Sequence, residues 1–167
     1  MPTMDDPFSA TTPFTLKNYR VERLVLSPEH WQTFPAPVSL TWRVAKFKQS
    51  NARRVPNDKK GVYSFVVKPN IFNHPACACL MYVGKAEDQS LRQRFKQYFA
   101  HKVDTTRRPH ISKMLLSWPN NLWFYFATVN DSTKIDDTEQ ALLNAFIPPF
   151  NRRYRGIVKR HVGHIFS

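Results

Sequence analysis

The alternation of apolar and polar residues predicts a series of short strands and helices from Gly61 onward. Runs rich in β-branched and aromatic residues predict strands over 61–68, 78–84 and 122–129. Apolar residues at helical spacing predict helices over 90–100, 111–118 and 138–147. Ser90 caps the first of these helices, and Pro148 stops the last. The order β–β–α–α–β–α predicts an α+β domain with a small, mainly antiparallel three-stranded sheet flanked by helices.

The first 60 residues lack this periodicity and predict an irregular extension. Seven of the 13 prolines fall there, a density that argues against a long helix. Within this stretch, 19–26 predicts a strand, Ser27-Pro28-Glu29 predicts a short helix through Trp31, and 46–60 predicts an exposed basic loop. The chain therefore divides into a Pro-rich basic extension (1–60), a core domain (61–151) and a basic tail (152–167).

The charge balance points to a polyanionic partner. Lys and Arg total 25 against 12 Asp and Glu, which gives a net charge of +13. Because phosphate polymers release condensed counterions to such a surface, nucleic acid is the expected partner. No stretch approaches the roughly 18 apolar residues that cross a bilayer, so we expect no membrane partner. Cys77 and Cys79 are too close in sequence for an unstrained disulfide, which favours a reducing, cytoplasmic location.

Two aromatic triplets contain two of the chain's four glycines. Gly61-Val62-Tyr63 opens the first predicted strand, and Tyr82-Val83-Gly84 closes the second. If these strands pair, the two tyrosines come to the same region of the sheet. Taken alone, each triplet is more typical of an ordinary strand aromatic beside a turn glycine, because such short motifs often match by chance.

Two predicted helices contribute charged candidates. Arg94 and Tyr98 are four residues apart and share one helical face, where a guanidinium can bind a phosphate. Glu139 lies on the last predicted helix, where a carboxylate facing the sheet can hold Mg²⁺ or Mn²⁺. The alternatives are a solvated surface arginine and a first-turn acid favoured by the helix dipole.

Together these residues resemble the GIY-YIG nuclease family. The family pattern is two such triplets, an Arg followed four residues later by Tyr or His, a helix-borne Glu and a closing Asn, here Asn151. The segment from Tyr82 to Tyr98 is especially similar to the nuclease domain of the bacterial excision-repair incision subunit. Val replaces Ile in both triplets, and an extra residue near 87–89 leaves Arg92 as a rival to Arg94.

The resemblance implies a GIY-YIG fold and assigns a metal ligand and a base. Glu139 would be the only protein ligand of one Mg²⁺ or Mn²⁺ ion. Tyr63 would help to deprotonate the attacking water, with the metal and Lys85 lowering the pKa of its phenol. The reaction would be hydrolysis of a DNA phosphodiester, leaving a 5′-phosphate and a 3′-hydroxyl.

The remaining roles that the resemblance implies are electrostatic and structural. Arg94 would stabilise charge on the pentavalent phosphorus, and Tyr82 would orient the water or a phosphate oxygen. Tyr98 would take the position where some members have His. Asn151 would hold the local geometry beside the metal.

Basic residues outside this set are candidate DNA contacts. They lie on the helix predicted over 90–100, in the loop after it and in the tail: Arg92, Arg107, Arg108, Arg152, Arg153, Arg155, Lys159 and Arg160. The partner is DNA, with RNA and single strands left open, and the protein acts alone, as a homodimer or in a larger nucleoprotein assembly. A restriction-like dimer, a low-specificity phage, defence or repair nuclease, and a catalytically inactive nucleic-acid binding module remain alternatives.

Overall fold

The structure is a computed structural model that describes residues 22–69, 77–104, 106–155 and 158. Its elements, in chain order, are α1 (Pro28–Gln32), β1 (Arg43–Lys46), a 3₁₀ helix (Gln49–Arg54), β2 (Gly61–Val67), β3 (Cys79–Ala86), α2 (Leu91–Val103), α3 (Pro109–Ser117), β4 (Leu122–Thr128), a 3₁₀ turn (Ser132–Lys134) and α4 (Ile135–Phe146). The predicted α+β class and the order β–β–α–α–β–α after residue 60 are confirmed.

The strands form one antiparallel sheet in the order β1-β4-β2-β3. Its centre is β2, in which Tyr63 lies opposite Gly84 of β3 on one side and Phe126 of β4 on the other. Directly opposed residues point to the same face of a sheet, so this register places both predicted triplets around one point. β3 forms one edge of the sheet.

The prediction of three strands was wrong because β1 is a fourth. β1 has only four residues, two of them basic, and such a short run gives no alternating pattern to detect. It pairs with β4, and residues just after it enter the core: Phe47, Ala52 and Val55 are all buried. The boundary predicted at residue 61 therefore does not separate the extension from the folded domain.

Three further predictions concern the extension. The short helix after Ser27 is confirmed as α1. The strand predicted over 19–26 is wrong for 22–26, which have no regular structure. Residues 19–21 lie outside the described residues. The predicted exposed loop after Lys46 contains the 3₁₀ helix, which packs against α2.

The two faces of the sheet bury different kinds of side chain. One face, covered by α2, α3 and the first 3₁₀ helix, is the aromatic face: its core includes Phe47, Tyr63, Phe65, Tyr82, Phe95, Tyr98, Phe124 and Phe126. The other, covered by α4, is the aliphatic face: its core includes Val62, Val83, Ala127, Val129, Ile135, Leu142 and Leu143. Because successive strand residues point to opposite faces, each triplet contributes its tyrosine to one core and its valine to the other.

Within the described ranges, every helix is too short or too polar to cross a membrane.

Candidate active site at the edge of the sheet

The helix that carries Arg94 is fixed at its start by a capping box. The Ser90 hydroxyl accepts a hydrogen bond from the Gln93 amide, and the Gln93 side chain accepts one from the Ser90 amide. Leu91 and Phe95 are fully buried against the sheet. With this face of α2 pinned to the core, Arg94 is held at the margin of the buried face.

Arg94, Tyr63 and Tyr98 form one hydrogen-bonded group. The hydroxyls of Tyr63 and Tyr98 are 2.8 Å apart, and Arg94 Nε donates to Tyr63 Oη at 3.0 Å. Arg94 Nη1 also donates to Gln97 Oε1 at 3.2 Å. The Tyr82 ring lies 6.4 Å from that of Tyr63. The structure therefore brings together the four residues that were predicted from the two triplets and the α2 face.

Arg92, the rival candidate, points away from this group. Its Nε donates to the Val55 carbonyl at 2.6 Å, and its Nη2 donates to the Arg53 carbonyl at 3.3 Å. Two residues advance an α-helix by about 200°, so Arg92 and Arg94 occupy opposite sides of α2. Arg92 fastens the first 3₁₀ helix, and Arg94 is the arginine that belongs to the site.

Gly84 makes room for the Tyr63 ring. A Cβ added at Gly84 would lie 2.5 Å from Tyr63 Oη and 2.6 Å from Cζ. These separations are far inside van der Waals contact, so a larger residue would displace the phenol and with it the bond to Arg94. Gly84 lies inside β3, so the second triplet places the tyrosine and does not end the strand.

Burial makes the phenols poor bases in this structure. Tyr63 is fully buried, and its burial raises the pKa of the phenol well above the usual range despite hydrogen bonds from Arg94 and Tyr98. The pKa of Tyr98 is raised for the same first reason. A neutral Tyr63 hydroxyl suits it to holding Arg94, and this geometry weighs against its predicted role as general base.

Lys85 does not supply the positive charge that was expected beside Tyr63. It forms ion pairs with Asp136, at 2.6 Å, and with Glu87. Partial burial acts to lower the pKa of Lys85, but hydrogen bonds to these carboxylates outweigh it and the pKa is raised. Arg155 binds the other oxygen of Asp136 at 2.7 Å. Asp136 therefore organises the two cations on the α4 side of β3.

Asp136 was missed in the sequence, although a signal was available. It lies three residues before Glu139, so both carboxylates occupy the same face of α4. Its partner Lys85 is 51 positions away, and no local pattern connects the two.

Glu139 is a half-buried carboxylate near these charges. Burial raises its pKa, the positive charges of Lys85, Arg94 and Arg155 act to lower it, and the negative charge of Asp136 acts to raise it. The charges of Lys85, on β3, and of Arg94, on α2, both act on Glu139 although α4 and α2 cover opposite faces of the sheet. We take the β3 edge, where these two faces meet, as the candidate site.

The environment of Glu139 fits a cation. Among the described residues it has no hydrogen-bond or ion-pair partner, and a half-buried carboxylate without a partner is stabilised by a bound positive charge. Hard oxygen donors suit Mg²⁺ or Mn²⁺. No cluster of three or more His, Cys, Asp or Glu occurs in the described part of the chain, so solvent and substrate would have to complete the ion's coordination.

Asn151 closes the free edge of β3 just before Gly84. Its Oδ1 accepts from the Val83 amide at 2.9 Å, and its Nδ2 donates to the Val83 carbonyl at 2.8 Å. The amide of Phe150 donates to the Met81 carbonyl one step earlier. Asn151 thus satisfies the backbone groups of Val83 that a neighbouring strand would otherwise pair. This is how it would hold the local geometry, as the sequence predicted.

Apart from Arg92, the predicted DNA contacts fall into four groups. Arg107 and Arg108 line a cavity beyond the end of α2, and Arg152 and Arg153 are exposed after α4. Arg155 is exposed and paired with Asp136. Lys159 and Arg160 lie outside the described residues.

Cys77 and Cys79 are exposed free thiols.

No known protein family, no curated protein and no solved structure matches this chain.

Proposed function

We propose that the protein is a metal-dependent endonuclease of the GIY-YIG type that hydrolyses phosphodiester bonds in DNA. The observation that carries the proposal is the position of Arg94. The buried Tyr63 hydroxyl, itself bonded to Tyr98, accepts from Arg94, and the charge of Arg94 acts on Glu139, a carboxylate without a partner among the described residues. A fixed guanidinium whose charge reaches a carboxylate that can bind a cation is suited to phosphoryl transfer.

Arg94 binds the scissile phosphate in this proposal. Its Nε and Nη1 are occupied by Tyr63 and Gln97, and its Nη2 has no hydrogen bond to any residue in the described ranges. That nitrogen remains to donate to a phosphate oxygen. Because the guanidinium is oriented before substrate arrives, it stabilises the developing negative charge without reorganisation.

Glu139 holds the cation, with Lys85 close enough to influence its charge state. When bound, a divalent cation polarises the phosphate and stabilises the leaving oxygen. Asp136 keeps Lys85 on the α4 side of the strand, so that its charge supports a phosphate there.

The reaction joins a water oxygen to phosphorus and breaks the bond between phosphorus and the 3′-oxygen. The 3′-oxygen takes up a proton, and the phosphate stays on the 5′ end of the next nucleotide. Because Tyr63 is buried and neutral, we propose that it positions Arg94 and does not act as the base. The proton of the attacking water is then released to solvent. Tyr82 lies at the buried margin of the same group and orients the substrate phosphate.

The test is cleavage of supercoiled plasmid and of labelled single-stranded DNA, duplex DNA and RNA. Each substrate is incubated with Mg²⁺, with Mn²⁺ and with chelator, beside Glu139→Ala. We expect metal-dependent cutting that disappears in the variant. Linear plasmid at early times indicates a dimer that cuts both strands, and nicked plasmid indicates one strand at a time. Absence of cutting on every substrate, with a folded protein, contradicts the proposal.

A second candidate is a nucleic-acid binding module without catalysis. The observation that favours it is the complete burial and raised pKa of Tyr63, the phenol that the family resemblance names as base. In that case the wild type and Glu139→Ala bind DNA equally well, with or without divalent metal, and neither cuts it.

A further inference from the structure

A cavity of about 380 Å³ lies at the junction of α2 and α3, outside the site described above. Its wall on the α2 side is made by Gln97, Ala100 and His101, and its other wall by Arg107 and Arg108. The C-terminal end of α2 and the N-terminal end of α3 meet there, so their opposite partial charges offset each other. The electrostatic character of the cavity is therefore set by its side chains.

Two of those side chains, Arg107 and Arg108, are positive. Burial lowers the pKa of His101, and the charges of Arg108, Arg107 and Arg94 lower it further. Within the described ranges neither Arg107 nor Arg108 forms an ion pair. The carboxylate of Asp104, whose charge acts on His101 and Arg107, accepts hydrogen bonds from the amide and hydroxyl of Thr106. The cavity thus sets two arginines against one carboxylate, which leaves it with a net positive charge.

Ser112 fastens the two walls of the cavity to each other. It is buried, and its hydroxyl reaches the carbonyls of His101 at 2.8 Å and Arg108 at 3.2 Å. The backbone on both sides of the cavity is therefore held in place, which reduces the ordering cost of binding a ligand there.

The cavity is continuous with the candidate active site. Gln97, which lines it, accepts the hydrogen bond from Arg94 Nη1. Arg94 and His101 are seven residues apart on one face of α2, which corresponds to about 10 Å along the helix axis. The rise along the duplex axis is about 3.4 Å per nucleotide, and successive phosphates of one strand lie farther apart than that rise, so this distance fits a phosphate one or two nucleotides away.

We propose that this cavity is a second phosphate site, which binds one backbone phosphate of the substrate strand about one or two nucleotides from the phosphate held by Arg94. Arg107 and Arg108 donate to the phosphate oxygens, and His101 contributes a further hydrogen bond. The proposal rests on the proposed function for the identity of the strand. The site would set the direction and register in which a strand crosses Arg94.

The residues that line the cavity predict that His101 takes up a proton when a phosphate binds. Arg94, Arg107 and Arg108 favour neutral His101 in the free protein, Asp104 opposes them, and the Tyr98 ring lies 5.9 Å away. A bound phosphate raises the pKa of His101, so the complex takes up a proton where the free protein does not. Affinity for a phosphodiester strand, which does not itself titrate in this range, then increases as the pH falls toward 6.

The first test requires no catalysis and uses inorganic phosphate as the probe. The His101 side-chain resonances are followed by NMR at about pH 7 while phosphate is added to the metal-free protein. We expect a saturable shift that is lost in Arg107→Gln/Arg108→Gln. The matched control is Arg53→Gln/Arg54→Gln, which removes two adjacent exposed arginines near the other end of α2 and should keep the shift. No saturation in the wild type, or equal loss in both pairs, would overturn the proposal.

The second test locates the phosphate within a strand. Single-stranded oligonucleotides each carry one uncharged methylphosphonate, placed in turn along the sequence, and a further pair differs only in a 5′-terminal phosphate. We expect two internal positions to weaken wild-type binding about tenfold, and the loss at one of them, the phosphate bound in the cavity, to disappear in Arg107→Gln/Arg108→Gln. That variant should also reduce the slope of log K against log salt by about 1. An effect of the terminal phosphate alone would identify an end-binding pocket and contradict a backbone site.

The two proposals fail in different ways. If the wild type cuts DNA and the Arg107/Arg108 variant cuts and binds as well as the wild type, the second phosphate site is wrong and the nuclease stands. If phosphate shifts His101 but no substrate is cut with any metal, the nuclease is wrong and the anion site stands.

Discussion

The aromatic and aliphatic faces of the sheet differ in how completely they are packed. On the aromatic face, rings pack edge to face, with centroids 4.7 Å apart for Phe65 and Tyr98, and the buried hydroxyls of Tyr63 and Tyr98 satisfy each other. The aliphatic face is sealed less completely. A cavity of about 680 Å³ lies between it and residues 31–42. The phenol that orients Arg94 therefore belongs to the more completely packed face.

This difference explains why the candidate site lies at the strand edge that the two faces share. The aromatic face supplies a fixed arginine, and the α4 side supplies carboxylates and a lysine. β3, the edge strand, contributes to both, because its residues alternate between the faces up to Lys85: Tyr82 lies in the aromatic core and Val83 in the aliphatic one. A substitution that disturbs the aromatic face should therefore reduce both stability and cleavage. An equivalent substitution on the aliphatic face should reduce stability alone.

The largest effect is expected for Gly84→Val. The added side chain would start 2.5 Å from Tyr63 Oη and cannot be accommodated without moving the phenol. We expect the free energy of unfolding to fall by about 3 kcal/mol and cleavage to be lost. Chemical denaturation and plasmid cleavage measure the two quantities.

The control for this change is Val83→Ala, its neighbour on the aliphatic face. It should cost about 2 kcal/mol of stability by removing buried methyl groups, yet cleavage should persist at temperatures where the variant is folded. Loss of cleavage in a folded Val83→Ala protein would contradict the assignment of rigid positioning to the aromatic face.

The next effect in size is expected for Arg94→Gln. Removing one preorganised charged donor typically lowers a catalytic rate about 10²- to 10³-fold, and Arg94 lies at the surface margin, so the fold should persist. Arg92→Gln is matched in chemistry and lies on the same helix, but faces the first 3₁₀ helix. It should lower stability with little change in kcat. Equal rate losses in the two variants would show that α2 contributes only general positive charge.

The site residues that the sequence could predict are those connected by local spacing. The four-residue step from Arg94 to Tyr98 identified their common face, and the register of two short strands brought Tyr63 and Tyr82 together. Spacing alone did not choose between Arg92 and Arg94, because that choice depends on which side of α2 the first 3₁₀ helix covers.

The elements and contacts that could not be predicted are short or distant in sequence. β1 has four residues, and it is a strand because β4 offers it a free edge. The pairing of Lys85 with Asp136 joins positions 51 apart. The depth at which Tyr63 is buried depends on the absence of a side chain at Gly84 across the strand pair. Each of these follows from tertiary packing that no local pattern encodes.

Tyr63→Phe should have a smaller effect that separates two roles. It removes the hydroxyl that accepts from Arg94 and bonds to Tyr98, both of which are in the buried group. A positioning role predicts about a tenfold loss of kcat, about 1–2 kcal/mol of lost stability and an unchanged pH profile of kcat/KM. A base predicts a larger loss and disappearance of one limb of that profile.

The smallest effect, with the opposite sign, is expected for the stability of Glu139→Gln. Burial raises the pKa of Glu139 in the folded protein, so between the unfolded and folded pKa values the native state holds a proton that the unfolded chain has released. Its contribution to stability is therefore present at low pH and declines as the pH rises through this window. Glu139→Gln removes that decline and should unfold at the same or a slightly higher denaturant concentration than wild type near neutral pH.

Divalent metal should reverse this order. Mg²⁺ or Mn²⁺ that binds the native carboxylate raises the wild-type melting temperature, by more as its concentration increases above the dissociation constant, and leaves Glu139→Gln unchanged. The control is Asp137→Asn, an exposed carboxylate of the same helix, which should keep the metal response. If metal stabilises wild type and Glu139→Gln equally, the cation binds elsewhere. The proposal that Glu139, across β3 from the hydrogen-bonded tyrosines of the aromatic face, binds the catalytic metal would then be wrong.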